Sequence, residues 1–154
     1  MGMSDYVRGL RAKIGNDFLL MPTVAARIAD DRGRLLLVRH VEGRWQLPGG
    51  AVDPGEHPAD ALRRECREEA SVDVELGALI GAFGGPAYCA TYANGDRAGF
   101  VTTVYDATIE GGDPQPGDDE IQAVGWFMLE EIDELEMGDA TRATIRAISR
   151  PARA

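Results

Sequence analysis

The stretch "PGGAVDPGEHPADALRRECREEASV" (Pro48–Val72) crowds Glu65, Glu68 and Glu69 into five residues, with Glu56 just upstream. Pro58 suits the first turn of a helix, where its missing N–H costs nothing. The pattern predicts a helix from about Pro58 to Ala70. On a helix, positions i, i+3 and i+4 share a face. The three glutamates therefore form one acidic face, while Ala61, Leu62 and Cys66 form an apolar one. Like charges about 6 Å apart repel by roughly 3 kcal/mol at an effective dielectric of about 20, and by under about 1 kcal/mol in water. If the face lines a cleft, it needs a counter-charge. Magnesium or manganese suits clustered hard oxygen ligands. Taken alone, "RRECREE" also fits a solvated face in which Arg63, Arg64 and Arg67 make salt bridges. The residues upstream favour the cleft. Gly49 and Gly50 admit close backbone approach, and the turn at Asp53-Pro54-Gly55 brings Glu56 back beside the helix start.

Working outward, Ser4 to Ile14 fits a short amphipathic helix with Val7, Leu10 and Ile14 at helical spacing. It belongs to an N-terminal lead-in over residues 1–20. Pro22 opens the strand pattern "TVAARIAD", which ends in a turn at Asp30–Gly33. "RLLLVRH" (Arg34–His40) reads as a strand buried on both faces, expected to pair with its predecessor as a hairpin. "WQLPGGAV" is extended. Beyond the helix, "VDVELGALIGAFGG" resumes strand character, and two further strands flank Asn94-Gly95, a strong hairpin signal. A polar loop, "GGDPQPGDDE", leads into the strand "IQAVGWF". Short helices near Leu129–Leu135 and Asp139–Ile148 follow. Strands with interleaved helices give an α+β chain, or an α/β/α sandwich with a mixed central sheet, as one domain over residues 1–154.

Acidic residues number 26 against 16 basic ones, for a formal charge of −10. That balance argues against general binding to nucleic acid or anionic membranes, which require a basic footprint. An anionic ligand would need local neutralisation. No apolar run approaches a membrane-spanning length, and the N-terminal residues lack an apolar signal core. Cys66 and Cys89 have no metal-ligand spacing and read as reduced thiols, in keeping with a cytoplasmic protein.

Gly50, Glu56, Arg64, Glu65, Cys66, Glu68, Glu69 and Val72 together resemble the Nudix box. That pattern is Gly, five residues, Glu, seven residues, then Arg-Glu-aliphatic-any-Glu-Glu-any-Gly-aliphatic. The match covers the 23 residues from Gly50 to Val72, with the lead-in "WQLPGG" at Trp45–Gly50. Cys66 fills the aliphatic slot as a small hydrophobe. Ser71 stands where the box has glycine, and a positive φ there would cost serine about 1 kcal/mol.

The resemblance implies a Nudix-type sandwich and a divalent-metal-dependent hydrolase. Its substrate class is a nucleoside diphosphate linked to another group. A metal-activated water would attack phosphorus, with no covalent enzyme intermediate. Glu65, Glu68 and Glu69 would be metal ligands, joined by the Gly50 carbonyl and by Glu120 in "PGDDEIQAVGWF". Glu120 reads equally as a base, a metal contact or a plain loop charge. Glu56 and Arg64 would pair to hold the loop against the helix. Gly49, Gly50, Arg39 and Arg44 are candidates for contact with the substrate's phosphates. Asp118 and Asp119 read as loop caps and His57 as a helix N-cap. His40 faces either the pocket or solvent, and Tyr105, Trp126 and Phe127 read as core. The family also suggests a homodimer, with the N-terminal helix as a candidate interface. Two alternatives on the same fold are a non-catalytic nucleotide-binding module and an isoprenoid diphosphate isomerase. The first usually lacks box carboxylates that this chain keeps. The second needs an active-site cysteine that neither Cys66 nor Cys89 matches. Oxidised nucleoside triphosphates, nucleotide sugars, ADP-ribose and dinucleoside polyphosphates all stay open as substrates.

Overall fold

A computed structural model describes residues 3–150. Two strands decide the layering. β1 (Leu19–Ile28) and β2 (Leu35–His40) bury side chains on both faces. On one face, Val24, Ala26, Ile28, Leu36 and Val38 pack with Ala61, Leu62, Cys66 and Ala70 of helix α2 (Pro58–Ala70). On the other, Ala25, Leu35 and Leu37 pack with Ile132 of α3 (Leu129–Ile132) and with Ile145 and Ile148 of α4 (Asp139–Ile148). The period-2 alternation of a strand thus feeds two cores, and helices close the outer side of each. Tyr105, Trp126 and Phe127 pack against these cores, as expected. Trp45 meets Phe127 edge-on, with ring centroids 4.7 Å apart.

β1 lies between β4 (Gly49–Ala51), antiparallel, and β7 (Arg97–Gly111), parallel. β5 (Asp73–Phe83) follows on the far side of β7, and β6 (Cys89–Thr91) also pairs with β7. The result is a mixed five-stranded sheet. The second sheet is antiparallel, with β2 between β3 (Trp45–Gln46) and β8 (Ile121–Phe127).

The expected hairpin between β1 and β2 is corrected by this pairing. The Asp30 turn does form, and its carboxylate accepts from the Arg32 and Arg34 N–H groups. The strands then meet only in the bridge Ala29↔Leu35 and part into different sheets. Both edges of β1 are already taken by β4 and β7. β1 also starts earlier than its sequence suggests and runs through Pro22. The Pro22 carbonyl accepts from Val52 N–H at 3.1 Å. The β4 ladder, Thr23 to Ala25, stops at Pro22, which has no N–H to give.

Helix α2 has the bounds its sequence predicts. His57 caps it, its Nδ1 accepting from Ala59 N–H at 3.1 Å. Ser71 ends it in the left-handed region, with φ 58° and ψ 31°. This is the costly conformation anticipated for serine in the glycine slot. Helix α1 (Asp5–Ile14) is capped by the Ser4 hydroxyl, which accepts from Val7 N–H, and it contributes no buried residue to either core. Among the described residues, no helix is long and apolar enough to cross a membrane.

Candidate active site

The glycine turn packs closely against α2 on one side and β1 on the other. A Cβ on Gly50 would collide with the Glu65 carboxylate, and one on Gly49 with the Val24 carbonyl. The Gly49 N–H donates to Glu69 Oε2 at 3.0 Å. The other oxygen, Glu69 Oε1, is buried without a hydrogen bond and lies 3.4 Å from His40 Nε2. Glu65 and Glu69 are 5% and 3% exposed. Glu68, on the same acidic face, is exposed. Burial pushes the Glu65 carboxyl up to about 7, and the Glu69 charge adds to the shift.

Arg64 supplies a counter-charge that the carboxylate crowding demands. Its Nε and Nη2 grip Glu56 at 2.9 and 3.0 Å. Its Nη1 donates to Glu65 at 2.9 Å and to Glu68 at 3.3 Å. Nη2 also reaches the Ala51 carbonyl at 3.1 Å. This fork holds the guanidinium's proton more tightly than usual and draws the Glu56 carboxyl below its ordinary range. Glu56 also accepts from Asp53 N–H, so the turn, Arg64 and α2 form one hydrogen-bonded unit.

The β7–β8 loop is tied to the end of the same helix. Gln115 N–H donates to the Ala70 carbonyl at 3.1 Å and Gly117 N–H to the Glu69 carbonyl at 3.2 Å. These bonds satisfy helix-end carbonyls that lack intrahelical partners. A Cβ on Gly117 would collide with the Glu68 carbonyl. The clamp places Asp118 and Glu120 beside the box carboxylates, and Asp118 accepts from Glu120 N–H at 3.0 Å.

One cavity of about 710 Å³ is lined by Glu65, Glu68, Glu69 and Glu120. Arg64 lines it too, with Glu56 directly behind Arg64. Arg39 and Arg44 do not line it. Arg39 Nε is turned to the Gly43 carbonyl at 3.1 Å, and the Arg44 charge acts on the Tyr92 phenol instead. His40 is buried, so it does not face solvent; it does not line the cavity, but its Nε2 lies 3.4 Å from Glu69, which does. The sequence reading did not single out the loop clamp at Gly117, the presence of Asp118 in the cavity, or the contribution of α1 to its lining. A glycine inside an acidic loop was the one local signal for the first.

Seven carboxylates line the cavity (Asp53, Glu65, Glu68, Glu69, Asp96, Asp118 and Glu120) against two guanidinium groups, Arg11 and Arg64. Both guanidinium groups are already engaged by protein oxygens. Among the described residues, no three carboxylate, histidine or cysteine groups already converge as a metal site. A cation here would compete with Arg64 for Glu65 and Glu68. The donor set nevertheless fits a hard divalent ion. It is all oxygen, partly desolvated, and includes the orphaned Glu69 Oε1.

The NUDIX domain profile matches residues 19–147. The chain belongs to the NUDIX domain family. It is a Nudix hydrolase, an enzyme that cleaves pyrophosphate bonds. It is similar to the nucleoside triphosphatase NudI of Enterobacter sp. (strain 638), with 30% identity over 131 residues, covering 79% of this chain and 92% of that one. A crystal structure of a MutT NUDIX hydrolase from Burkholderia pseudomallei shares 32% identity at a TM-score of 0.64, over 84% of this chain and 95% of that one. An ADP-ribose pyrophosphatase from Streptococcus suis 89-1591 shares 25% identity at a TM-score of 0.66, over 86% and 94%. The family match of this Nudix hydrolase begins at Leu19, so helix α1 lies outside it.

Proposed function

We propose that this Nudix hydrolase uses magnesium or manganese to cleave the diphosphate bond of a small nucleotide derivative, a nucleoside diphosphate linked to another group. The observation that carries this reading is the charge of the cavity. Its seven carboxylates face two guanidinium groups that are already spent on the protein. A polyanionic substrate cannot enter such a space without cations to offset the repulsion.

Glu65, Glu68, Glu69 and Glu120, with the Gly50 carbonyl, are the groups that would hold the ion. When bound, magnesium or manganese neutralises phosphate oxygens and acidifies a water. The chain's own residues do the rest. Gly49 N–H and buried His40 orient Glu69. Glu56 acts through Arg64, fixing the turn against α2, and is a positioning residue. The Gly117 clamp sets the loop that carries Glu120, our candidate to take the proton of the attacking water. Attack at phosphorus expels a phosphate-bearing leaving group and forms no bond to the protein.

The names of the relatives support a starting panel of nucleoside triphosphates and ADP-ribose, extended to nucleotide sugars and dinucleoside polyphosphates. Chromatography should detect product with magnesium or manganese and none with chelator. Glu68→Gln and Glu69→Gln should lose that activity. Full activity in both variants would overturn the ligand assignment, and no product from any compound would overturn the reading itself.

A further inference from the structure

The carboxylates form only part of the cavity. Val7 of α1, Met21 of β1, Ala98 and Phe100 of β7, and Tyr92 of the β6–β7 loop line the same space. These residues give this side an apolar patch with two aromatic rings, beside Ser4, Asn94 and Asp96. α1 stands outside the family-matched residues and adds nothing to either core. It is nonetheless firmly docked. The Arg11 side chain is 11% exposed. Its Nη2 donates to the Arg97 carbonyl at 2.8 Å, and its Nη1 to the Asp17 carbonyl at 2.7 Å and the Gly15 carbonyl at 3.1 Å. Its Nε lies 3.7 Å from Asp96. Asn16 adds a bond to the Asn94 carbonyl at 3.4 Å. Core packing does not explain this docking, but construction of a cavity wall does.

The chemistry of that wall selects among ligands. Arg11 is spent on carbonyls and Asp96, so it offers no cation to a second phosphate, and Asp96 repels one. A sugar would leave hydroxyls against Val7, Met21 and Phe100 unpaired, at a desolvation cost. A flat, neutral, aromatic group suits both the rings and a wall whose own guanidinium, Arg11, is already engaged. The cavity volume is that of pockets enclosing a whole small ligand.

We propose that α1 and the β6–β7 loop form a nucleobase subsite, with Val7, Met21, Tyr92 and Phe100 against the base and Arg11 as the positioning residue that pins α1 to the hairpin. The proposal rests on the hydrolase reading for the location of the diphosphate. It makes α1, which lies outside the matched residues, a specificity element of the cavity.

Calorimetry with magnesium tests it, using AMP, GMP, CMP and UMP against ribose 5-phosphate. The best nucleotide should bind about tenfold or more tightly than ribose 5-phosphate, from stacking of the base. Val7→Gln, on a helix that contributes nothing to the cores, and Tyr92→Ala should each reduce that preference to within about twofold. Ribose 5-phosphate binding and the melting temperature should stay at wild-type values. Arg11→Ala should lose the same preference, and Arg11→Lys should recover part of it. Equal binding of nucleotides and ribose 5-phosphate by the wild type would overturn the subsite. So would a preference that survives both Val7→Gln and Tyr92→Ala, or tighter binding of an isoprenyl diphosphate than of every nucleotide. Hydrolysis is scored separately. Cleavage without base preference removes the subsite and leaves the hydrolase reading standing. Base preference without cleavage of any panel compound does the reverse.

Discussion

Glu69 Oε1 and His40 Nε2 lie 3.4 Å apart inside the protein, and the Glu69 oxygen makes no hydrogen bond there. A buried acceptor left unsatisfied costs about 1–3 kcal/mol, so its persistence calls for a function. His40 stands at the back of a box carboxylate whose other oxygen is fixed by Gly49 N–H. Groups that orient a ligand typically contribute about 10- to 100-fold to metal affinity or activity when removed. His40→Ala should therefore raise the magnesium concentration needed for half-maximal hydrolysis by about that factor. A magnesium titration of initial rates measures it. An unchanged titration curve in a folded variant would remove His40 from the site.

Glu65 predicts a pH signature in chelator. Its folded-state pKa of about 7 lies above the ordinary value of 4.5. The folded protein therefore holds this proton more tightly than the unfolded chain. The resulting stabilisation is complete below about pH 4.5 and is lost as pH rises through 7. Glu65→Gln keeps the shape and an acceptor for Arg64 but abolishes the titration. The variant should match wild type near pH 4 and exceed it at pH 8 by about 3 kcal/mol. Urea unfolding in EDTA at the two pH values gives the comparison. An offset that does not change with pH would show that Glu65 does not titrate in this way.

The Glu56–Arg64 fork predicts the opposite slope. Arg64 lowers the Glu56 pKa, so the pair stabilises the fold above the unfolded value and loses its effect as pH falls through the folded one. Glu56→Gln should cost about 1–3 kcal/mol at pH 7, in line with hydrogen bonds to charged groups. Arg64→Lys should cost a similar amount, since an ammonium cannot span both carboxylate oxygens and the Ala51 carbonyl. Both deficits should shrink in acid unfolding curves, and a constant deficit would refute the electrostatic origin.

Ser71 offers a gain. It is the one non-glycine residue with positive φ among those described. Left-handed backbone costs an L-residue about 1–2 kcal/mol, partly offset in Ser71→Gly by the freer unfolded chain. The substitution should raise stability by about 0.5–1 kcal/mol, read from the denaturant midpoint. Because Ser71 lies past the carboxylates, kcat/KM should not move. A loss of stability would mean that the serine side chain contributes something its backbone geometry does not show.

Local pattern made the acidic helix legible, and distance along the chain hid much of the rest. α2 runs from Pro58 to Ala70 as its proline start and apolar face foretold. Its partnership with the glycine turn was implied by the Nudix resemblance, which pairs Glu56 with Arg64, and the two are joined by hydrogen bonds. The fate of β1 was not, because its parallel partner β7 lies nearly eighty residues away in sequence. His40 turns toward Glu69 just where the β2–β8 register shifts between Arg39 and His40, an irregularity with no local sequence mark. Arg39 and Arg44 read as phosphate contacts from charge alone, but neither lines the cavity. The α1 wall depends on Arg11 reaching Arg97, a contact spanning 86 residues.

The loop clamp gives the sharpest test of how Glu120 is positioned. Gly117 N–H bonds the Glu69 carbonyl, and no room exists for a Cβ against the Glu68 carbonyl. Gly117→Ala must therefore push the β7–β8 loop off the end of α2 and carry Glu120 with it. A misplacement of about 1 Å in a catalytic group costs on the order of 100-fold in rate. We expect kcat to fall by about that factor, with a smaller change in KM, while α2 stays folded by circular dichroism. Glu120→Gln in the unshifted loop should produce a comparable loss. If Gly117→Ala is impaired and Glu120→Gln is fully active, the loop matters through Asp118 or through α2 itself. Wild-type rates in both variants would remove the β7–β8 loop from the chemistry and leave the proton to a carboxylate of the box.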